Sequence, residues 1–240
     1  MKRIDNRAFD ALRHVVLTPG YSDFAEGSCL IEMGRTKVLC TASVSDRVPP
    51  HVAEGCGWIT AEYSMLPRAN RERSSRDISK LKLSGRSAEI QRLIGRSLRA
   101  CMDLSELGPY SITIDCDVLQ GDGGTRMASV TGGFVALALA LKKMKTYGMI
   151  DRLPHIQSVS GVSAGIVEGQ AMLDLCYEED SSAEVDFNCV MTENGGLVEI
   201  QGTGEGRPYT AQELQELLTL CAKGCSALNA KQHAAIGEWK

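Results

Sequence analysis

The chain has 240 residues, 43% of them hydrophobic, which is enough to bury a substantial core as one large domain or two closely packed halves. The first residues are charged, and we expect no segment to approach the roughly 20 apolar residues of a membrane helix, which predicts a cytoplasmic protein with no membrane partner. Nine cysteines without a CxxC pair predict reduced core thiols, and four scattered histidines disfavour a structural zinc.

The formal net charge of −4 conceals two opposed runs. Residues 68–99 contain ten basic and three acidic side chains, a local charge of +7, whereas residues 174–186 contain six acids and no base. Either run alone is typical of a solvated charged face. Together they favour a protein that binds a polyanion with the help of a divalent cation.

The first elements are strands and a helix. Alternating runs on either side of Gly34-Arg35 predict a β-hairpin, and GWITAEYSML predicts another strand. Residues 69–85 are charged and weakly periodic, which predicts a mobile surface loop or a fraying helix. From Ser87 onward an apolar stripe predicts a helix with Arg86 at or just before its amino terminus and Arg92 and Arg96 on another face.

The stretch LQGDGGTRMASVTGG follows the predicted strand SITIDCDV and opens a helix over residues 127–143 that is apolar on nearly all sides. Helix amino termini carry unpaired N–H groups and a partial positive charge. The turn therefore predicts an oxyanion site at Gly124, Thr125 and Arg126. The alternative is a tight turn whose glycines only satisfy backbone geometry.

Residues 147–153 are the best candidate boundary between two halves, 1–150 and 151–240, packed as one globular unit. In the second half, Glu168-Gly169 and Asn194-Gly195 predict two hairpins, and the second places Asp186 on one face with Asn188. A capping box at residues 210–213 predicts a final long core helix. The order of elements predicts an α+β fold, mixed sheets with packed helices.

These residues permit chemistry on phosphate groups. Arginine can bind phosphate oxygens bidentately, and a carboxylate pair can hold Mg²⁺ or give a proton to a leaving oxygen. Arg86 and Arg126 are the arginine candidates. For the carboxylates, Asp180 and Asp186 compete with Asp115 and Asp117, and spacing does not choose between the pairs. The sequence lacks GxxxxGK[ST], which disfavours a P-loop enzyme, and GDGGT lacks the spacing of a dinucleotide fold.

Five long segments resemble the bacterial ribonuclease PH family, and the match runs from near residue 3 to about residue 210. The segments are GSCLIEMGRTKVLCTASV, GWITAEYSMLPRAN, GRSAEIQRLIGRSLRA, DCDVLQGDGGTRMASVTGG and YEEDSSAEVDFNCVMTENGGLVEIQGTGEG. The resemblance implies a phosphate-dependent 3′→5′ exoribonuclease that trims precursor tRNA and other RNAs, releases nucleoside diphosphates and runs in reverse as a nucleotidyltransferase. It also implies a ribosomal-protein S5 domain 2-like fold and a homohexamer, a trimer of dimers.

The resemblance assigns roles to individual residues. Phosphate binding falls on Arg86 and on the GTR triplet Gly124, Thr125 and Arg126, in a domain 1-like half. Catalysis and Mg²⁺ binding fall on Asp180 and Asp186, in a domain 2-like half. RNA binding is expected at a set of arginines that begins in the basic loop and continues along the next helix: Arg68, Arg73, Arg76, Arg92 and Arg96.

Three positions depart from the common pattern of the family, namely Lys82, Gly121 and Cys176, and none of them removes a proposed phosphate ligand or aspartate. A rival interpretation is a catalytically inactive, exosome-like ring subunit that binds RNA. A second is a small-molecule phosphotransferase that uses the same anion turn. The complete set of arginines and aspartates disfavours the first rival, and the long basic segment disfavours the second.

Overall fold

Five strands form the first sheet of the computed structural model, which describes residues 2–76 and 84–239. Their order is β1-β2-β3-β5-β4, with β4 and β5 parallel and the other pairs antiparallel. The helix between β4 and β5 supplies the crossover that a parallel pair requires. The predicted hairpin at Gly34-Arg35 is confirmed. The strands are β1 Val15–Pro19, β2 Gly27–Met33, β3 Thr36–Ser45, β4 Trp58–Met65 and β5 Ser111–Gln120.

Four antiparallel strands form the second sheet, in the order β7-β6-β8-β9. Both predicted hairpins are confirmed, because β6 turns into β7 at Glu168-Gly169 and β8 turns into β9 through Asn194-Gly195. The strands are β6 Val159–Val167, β7 Gln170–Leu173, β8 Val185–Thr192 and β9 Leu197–Gly204.

Within the described residues, four α-helices pack on these sheets: α1 Gly85–Arg99, α2 Thr125–Thr146, α3 Tyr177–Asp180 and α4 Ala211–Ile236, with a short 3-10 helix at Leu104–Leu107. The predicted capping box is confirmed: Thr210 Oγ1 accepts a hydrogen bond from the N–H of Glu213, whose carboxylate accepts one from the N–H of Thr210. Helix α1 begins two residues before the predicted Ser87, because the Ser84 side chain caps it.

Helix α2 is the centre of the molecule. It packs against β2 and β3 of the first sheet and against β6 of the second, while α4 covers β6 from the other side. Gly27 permits the close approach of β2, since a Cβ there would lie 2.0 Å from the carbonyl oxygen of Ala136. The two sheets are therefore held on opposite sides of one helix, and its amino terminus has a fixed place between them.

One expectation from the sequence was wrong. We expected no segment with the length and apolarity of a membrane helix, but the 22 residues of α2 meet that description by length and composition. Of its most apolar 18-residue window, 83% is buried inside the protein. Its hydrophobicity is therefore that of a core helix that must satisfy two apolar surfaces at once.

The predicted loop or fraying helix at residues 69–85 falls partly outside the described residues. Residues 69–76 contain no helix or strand, and Lys82 is among the residues that the structure does not describe. Each predicted half contributes one sheet, while α2 packs on both; the boundary at residue 150 stays a prediction.

Replacing Gly27 by alanine tests the contact between β2 and α2. The new Cβ would meet backbone atoms of Ala136 and Ala140, which cannot rotate away. We expect the free energy of unfolding to fall by about 1–3 kcal/mol, measured as a lower urea midpoint. Gly206→Ala is the control, because its Cβ would make only ordinary contacts of 3.6 Å or more. Equal midpoints for the two variants would contradict the close approach.

Candidate phosphate and carboxylate site

The turn between β5 and α2 has a backbone that favours glycine. Gly123 and Gly124 adopt φ angles of 78° and 68°, in the left-handed region. A Cβ on Gly123 would also lie 2.5 Å from the carbonyl oxygen of Leu175, so this turn touches the backbone just before α3. The glycines are thus required by geometry, as the alternative interpretation of the sequence proposed.

The same geometry leaves the start of α2 open to an anion. Gly124 is the N-cap residue and has no side chain to accept from the first N–H groups of the helix. The first turn contains no acidic side chain and carries Arg126. The amino terminus of α2 is therefore electropositive and able to hold an oxyanion.

Arg126 is held in place from the second sheet. Its Nη1 donates to Gln201 Oε1 at 2.9 Å, and Gln201 Nε2 donates to Glu89 Oε1 on α1 at 2.8 Å. This chain of hydrogen bonds joins α2, β9 and α1. Arg86, the second residue of α1, is exposed and forms no ion pair with any carboxylate of the described residues.

Tyr63 is a site residue that the sequence did not reveal. It is buried on β4, and its hydroxyl lies 2.9 Å from Thr125 Oγ1. Burial raises the pKa of Tyr63, and the nearby positive charges of Arg86 and Arg126 oppose that rise. Alternation predicts only that Tyr63 faces the core; nothing in the sequence indicates that its hydroxyl reaches the α2 turn.

Asp186 and Asn188 lie on the face of the second sheet that packs against α2. Asn188 pairs with Ser163 on β6 and with Gln201 on β9, and directly opposed residues point to the same face. Asn188 Nδ2 donates to Asp186 Oδ1 at 3.0 Å. The predicted common face is confirmed, and it is the face that also carries the partner of Arg126.

Asp180 is the last residue of α3, and it shares a charged environment with Asp186. Burial raises the pKa of Asp180, and the charge of Asp186 raises it further, while Arg126 and Arg86 oppose the shift. Burial likewise raises the pKa of Asp186, with Arg126 as the largest opposing charge. The charges of both arginines therefore act on the pKa of each aspartate, which groups the four side chains as one candidate site.

The competing pair, Asp115 and Asp117, lies elsewhere. Both are on the face of β5 that points away from the helices, opposite the buried Ile114 and Cys116. Burial raises the pKa of both; Glu62 adds to the shift of Asp115, and Arg76 opposes that of Asp117. The charged groups that act on them do not include Arg86 or Arg126.

The site has oxygen donors that suit a hard cation. No group of three or more His, Cys, Asp or Glu side chains within residues 2–76 and 84–239 could hold a metal ion by itself. Mg²⁺ is usually bound through one or two carboxylates, with waters and substrate phosphates completing its shell. The pair Asp180 and Asp186 fits that ion.

The predicted RNA-binding arginines differ in their surroundings. All five are exposed, but Arg96 also forms a two-nitrogen contact with the carboxylate of Glu199 at 2.8–3.2 Å. A cavity of about 640 Å³ beside the α2 turn and α3 contains one of them, Arg68. Its lining also includes Arg35, Arg71, Asn70, Asp122 and Tyr177.

Two departures from the family pattern are accommodated locally. A Cβ on Gly121 would lie 3.3 Å from Met65 Cε, the end of a flexible side chain, so the usual alanine would need only a small shift. Cys176 is the N-cap of α3, and burial raises the pKa of its thiol. Neither position supplies a proposed ligand.

Comparison with known proteins gives a consistent result along the chain. Residues 11–143 match the 3′ exoribonuclease family, domain 1, and residues 157–224 match domain 2 of the same family. Ribonuclease PH of Dehalococcoides mccartyi is 52% identical over 95% of both chains, and that of Bdellovibrio bacteriovorus is 53% identical over 98% of this chain and 97% of its own.

The fold is also shared with solved structures. The Archaeoglobus fulgidus exosome with RNA bound to the active site superposes with a TM-score of 0.79 at 23% identity, covering 96% of this chain and 92% of that one. The predicted ribonuclease PH fold is confirmed. By sequence, architecture and the full length of the match, the chain belongs to the 3′ exoribonuclease family, and within it to the ribonuclease PH type.

Proposed function

We propose that this phosphorolytic 3′→5′ exoribonuclease of the tRNA nucleotidyltransferase type trims the 3′ ends of precursor tRNA and other RNAs at the site formed by α2, α1, α3 and β8. One observation carries the assignment: Arg86 and Arg126 act electrostatically on the same two half-buried carboxyls, Asp180 and Asp186, beside an open helix amino terminus. Family membership supports the activity, and the arrangement supports the residue roles.

In the proposed reaction, inorganic phosphate binds at Gly124, Thr125 and Arg126, with Arg86 as a second cationic ligand. A phosphate oxygen attacks the phosphorus of the terminal phosphodiester, the bond to the 3′ oxygen breaks, and a nucleoside diphosphate leaves with the attacking phosphate. The shortened RNA retains the 3′ oxygen, which must gain a proton. Asp180 or Asp186 can donate it, since a raised pKa keeps more carboxyl protonated than an ordinary aspartate.

Mg²⁺ is proposed as a cofactor at Asp180 and Asp186. When bound there, it would neutralise part of the negative charge on the reacting phosphates. The raised pKa values of both aspartates support this role, because a carboxylate that is costly to ionise alone is stabilised by a nearby cation. Asn188 would orient Asp186 through their 3.0 Å hydrogen bond.

The RNA is proposed to approach across the exposed arginines. Arg68 lines the cavity beside α3, and Arg73, Arg76 and Arg92 are exposed and able to contact phosphates. Arg96 would have to leave Glu199 to do the same, so its contribution is expected to be smaller. Sequence-independent phosphate contacts of this kind suit an enzyme that removes one nucleotide after another.

The proposed assembly is a homohexamer, a trimer of dimers, which is supported by the family resemblance. A cytoplasmic location is also proposed. All nine cysteines are free thiols, seven of them buried, which suits a reducing compartment.

The test of the proposed function is a trimming assay on tRNA that carries extra 3′ nucleotides. With inorganic phosphate and Mg²⁺ we expect stepwise shortening and release of nucleoside diphosphates; omitting phosphate should stop both. Chromatography of the released nucleotides measures the outcome. Nucleoside monophosphates, or shortening that does not depend on phosphate, would contradict phosphorolysis.

Asp186→Asn tests the choice of catalytic carboxylate. We expect kcat to fall at least about 100-fold, because the variant can neither transfer a proton nor bind Mg²⁺ as a carboxylate, while RNA affinity stays near that of the wild type. Asp115→Asn is the matched control, with the same change at the competing pair, and should retain wild-type turnover. Normal trimming by Asp186→Asn would remove this residue from the mechanism.

Asp180→Asn tests whether the ionised Asp180 carboxylate lowers the free energy of unfolding. Burial and Asp186 raise the pKa of Asp180 above its ordinary value of 3.8, so ionised Asp180 destabilises the folded state above the folded pKa. Without Mg²⁺, the variant should unfold at higher urea than the wild type at neutral pH. The difference in urea midpoint between the variant and the wild type should vanish by about pH 3, where the Asp180 carboxyl is protonated in both the folded and the unfolded protein.

The exposed Asp151 provides the control for that measurement. Asp151→Asn should change the free energy of unfolding by no more than about 0.5 kcal/mol at neutral pH. A loss of stability in Asp180→Asn at neutral pH would refute the proposal that ionised Asp180 destabilises the folded state. A gain in stability that persists unchanged in acid would refute it as well.

A further inference from the structure

The amino-terminal segment inserts three arginines beneath the site. Arg3 and Arg13 are only 3% and 6% exposed, and Arg7 is also largely covered. A buried guanidinium is costly unless its donors are satisfied. Their partners are two acidic residues of the second half, Asp174 and Glu179, a set of backbone carbonyls and, for Arg7, the nearby Asp5.

Arg13 joins one of these acids to the phosphate turn. Its Nε and Nη2 donate to the Asp174 carboxylate at 3.1 and 2.7 Å, and its own backbone N–H donates to Asp174 Oδ2 at 2.7 Å. The remaining guanidinium contacts are to the turn: Nη1 donates to the carbonyl of Asp122 at 2.5 Å, and Nη2 to that of Gly123 at 3.3 Å. The Arg13 side chain thus connects Asp174 to the α2 turn.

These contacts determine where the amides of the turn point. In a trans peptide the C=O of one residue and the N–H of the next point in opposite directions. Because the Gly123 carbonyl faces Arg13, the N–H of Gly124 faces away from it. Thr36 reinforces this orientation, since its Oγ1 donates to the Gly123 carbonyl at 2.7 Å and accepts from the N–H of Asp122 at 2.9 Å.

Asp174 connects the same cluster to α3. Its backbone is in the left-handed region, with φ of 55°, and its carbonyl accepts hydrogen bonds from Arg7 at 2.6 Å and Arg3 at 3.2 Å. Glu179 accepts two hydrogen bonds from Arg3, at 2.9 and 2.6 Å. It stands immediately before Asp180, so the arginines hold both ends of the segment that carries this aspartate.

We propose that Arg13 is a positioning residue for phosphorolysis: it orients the amides of the α2 turn toward the phosphate and, through Asp174, fixes that turn relative to α3. The inference rests on the proposed function, because it assumes that phosphate binds at the turn. Arg13 itself does not touch the phosphate, since its donors are directed to Asp174 and the turn carbonyls.

Arg13→Lys separates this role from a purely structural one. Lysine keeps the charge, but a single ammonium cannot satisfy Asp174 and both carbonyls. In steady-state phosphorolysis with inorganic phosphate varied, we expect the phosphate KM to rise about tenfold, because small errors in placing a reactant are costly. The KM for RNA should stay near the wild-type value.

Arg3→Lys is the matched control. It removes an equally buried guanidinium from the same cluster and leaves the turn carbonyls untouched. We expect the phosphate KM of this variant to stay near that of the wild type, whatever its kcat. Both variants are assayed well below their unfolding midpoints, so that loss of folded protein does not enter the comparison.

A second variant keeps the test decisive if Arg13→Lys fails to fold. Thr36→Val removes the other donor to the Gly123 carbonyl with little change in volume, and a raised phosphate KM with unchanged RNA KM supports the positioning role. Unchanged phosphate KM in Arg13→Lys, or in Thr36→Val if that is the variant available, overturns it, as does an equal rise in Arg3→Lys. A wild-type protein that consumes no phosphate would instead refute the proposed function.

Discussion

The burial of α2 on two sides is the constraint on which the rest of the structure depends. The first sheet packs on it through β2 and β3, and the second through β6, so neither sheet can shift without opening a core contact. Because interiors are close-packed, that arrangement is held within narrow limits. The start of α2 is thereby held beside the sheet face that carries Asp186, so the proposed anion site and the proposed carboxylate site are adjacent.

Opposed charges at this point are kept close but not neutralised in pairs. No salt bridge within the described residues joins Asp180 or Asp186 to Arg86 or Arg126, yet burial still raises the pKa of both aspartates. The positive charges of Arg86 and Arg126 offset only part of this rise in pKa. In the proposed function, phosphate would pair with the arginines and a cation with the aspartates, so that the substrates supply the opposite charges that the free site lacks.

Much of the architecture follows from the sequence because its signals are local. The hairpins at Gly34-Arg35 and Asn194-Gly195 and the capping box at Thr210 each depend on a few adjacent residues, and each was found where the pattern predicted it. The central, buried place of α2 was also predicted, but the expectation that no segment would match a membrane helix was wrong, because an apolar stretch of this length has the same composition whether protein or lipid surrounds it.

The candidate site was predictable only in part, because its residues are brought together by contacts between distant parts of the chain. Arg126 and Asp186 stood out through charge and motif, but spacing could not choose between Asp186 and Asp115, since that choice depends on which sheet face meets α2. Tyr63, Gln201 and Arg13 could not be found at all. Their roles arise from contacts across 62, 75 and 161 positions of the chain, with Thr125, Arg126 and Asp174 respectively.

The contact between Gly123 and the backbone of Leu175 joins segments that are synthesised some fifty residues apart. The residues of the turn are made before Asp174, α3 and β8, so its contact with Leu175 and its link through Arg13 to Asp174 form only after the second half has been synthesised. A chain that lacks the second half therefore has the glycines and Arg126 of the turn but neither Asp180 nor Asp186. The arginines and aspartates of the proposed site come together only when the second sheet packs on α2.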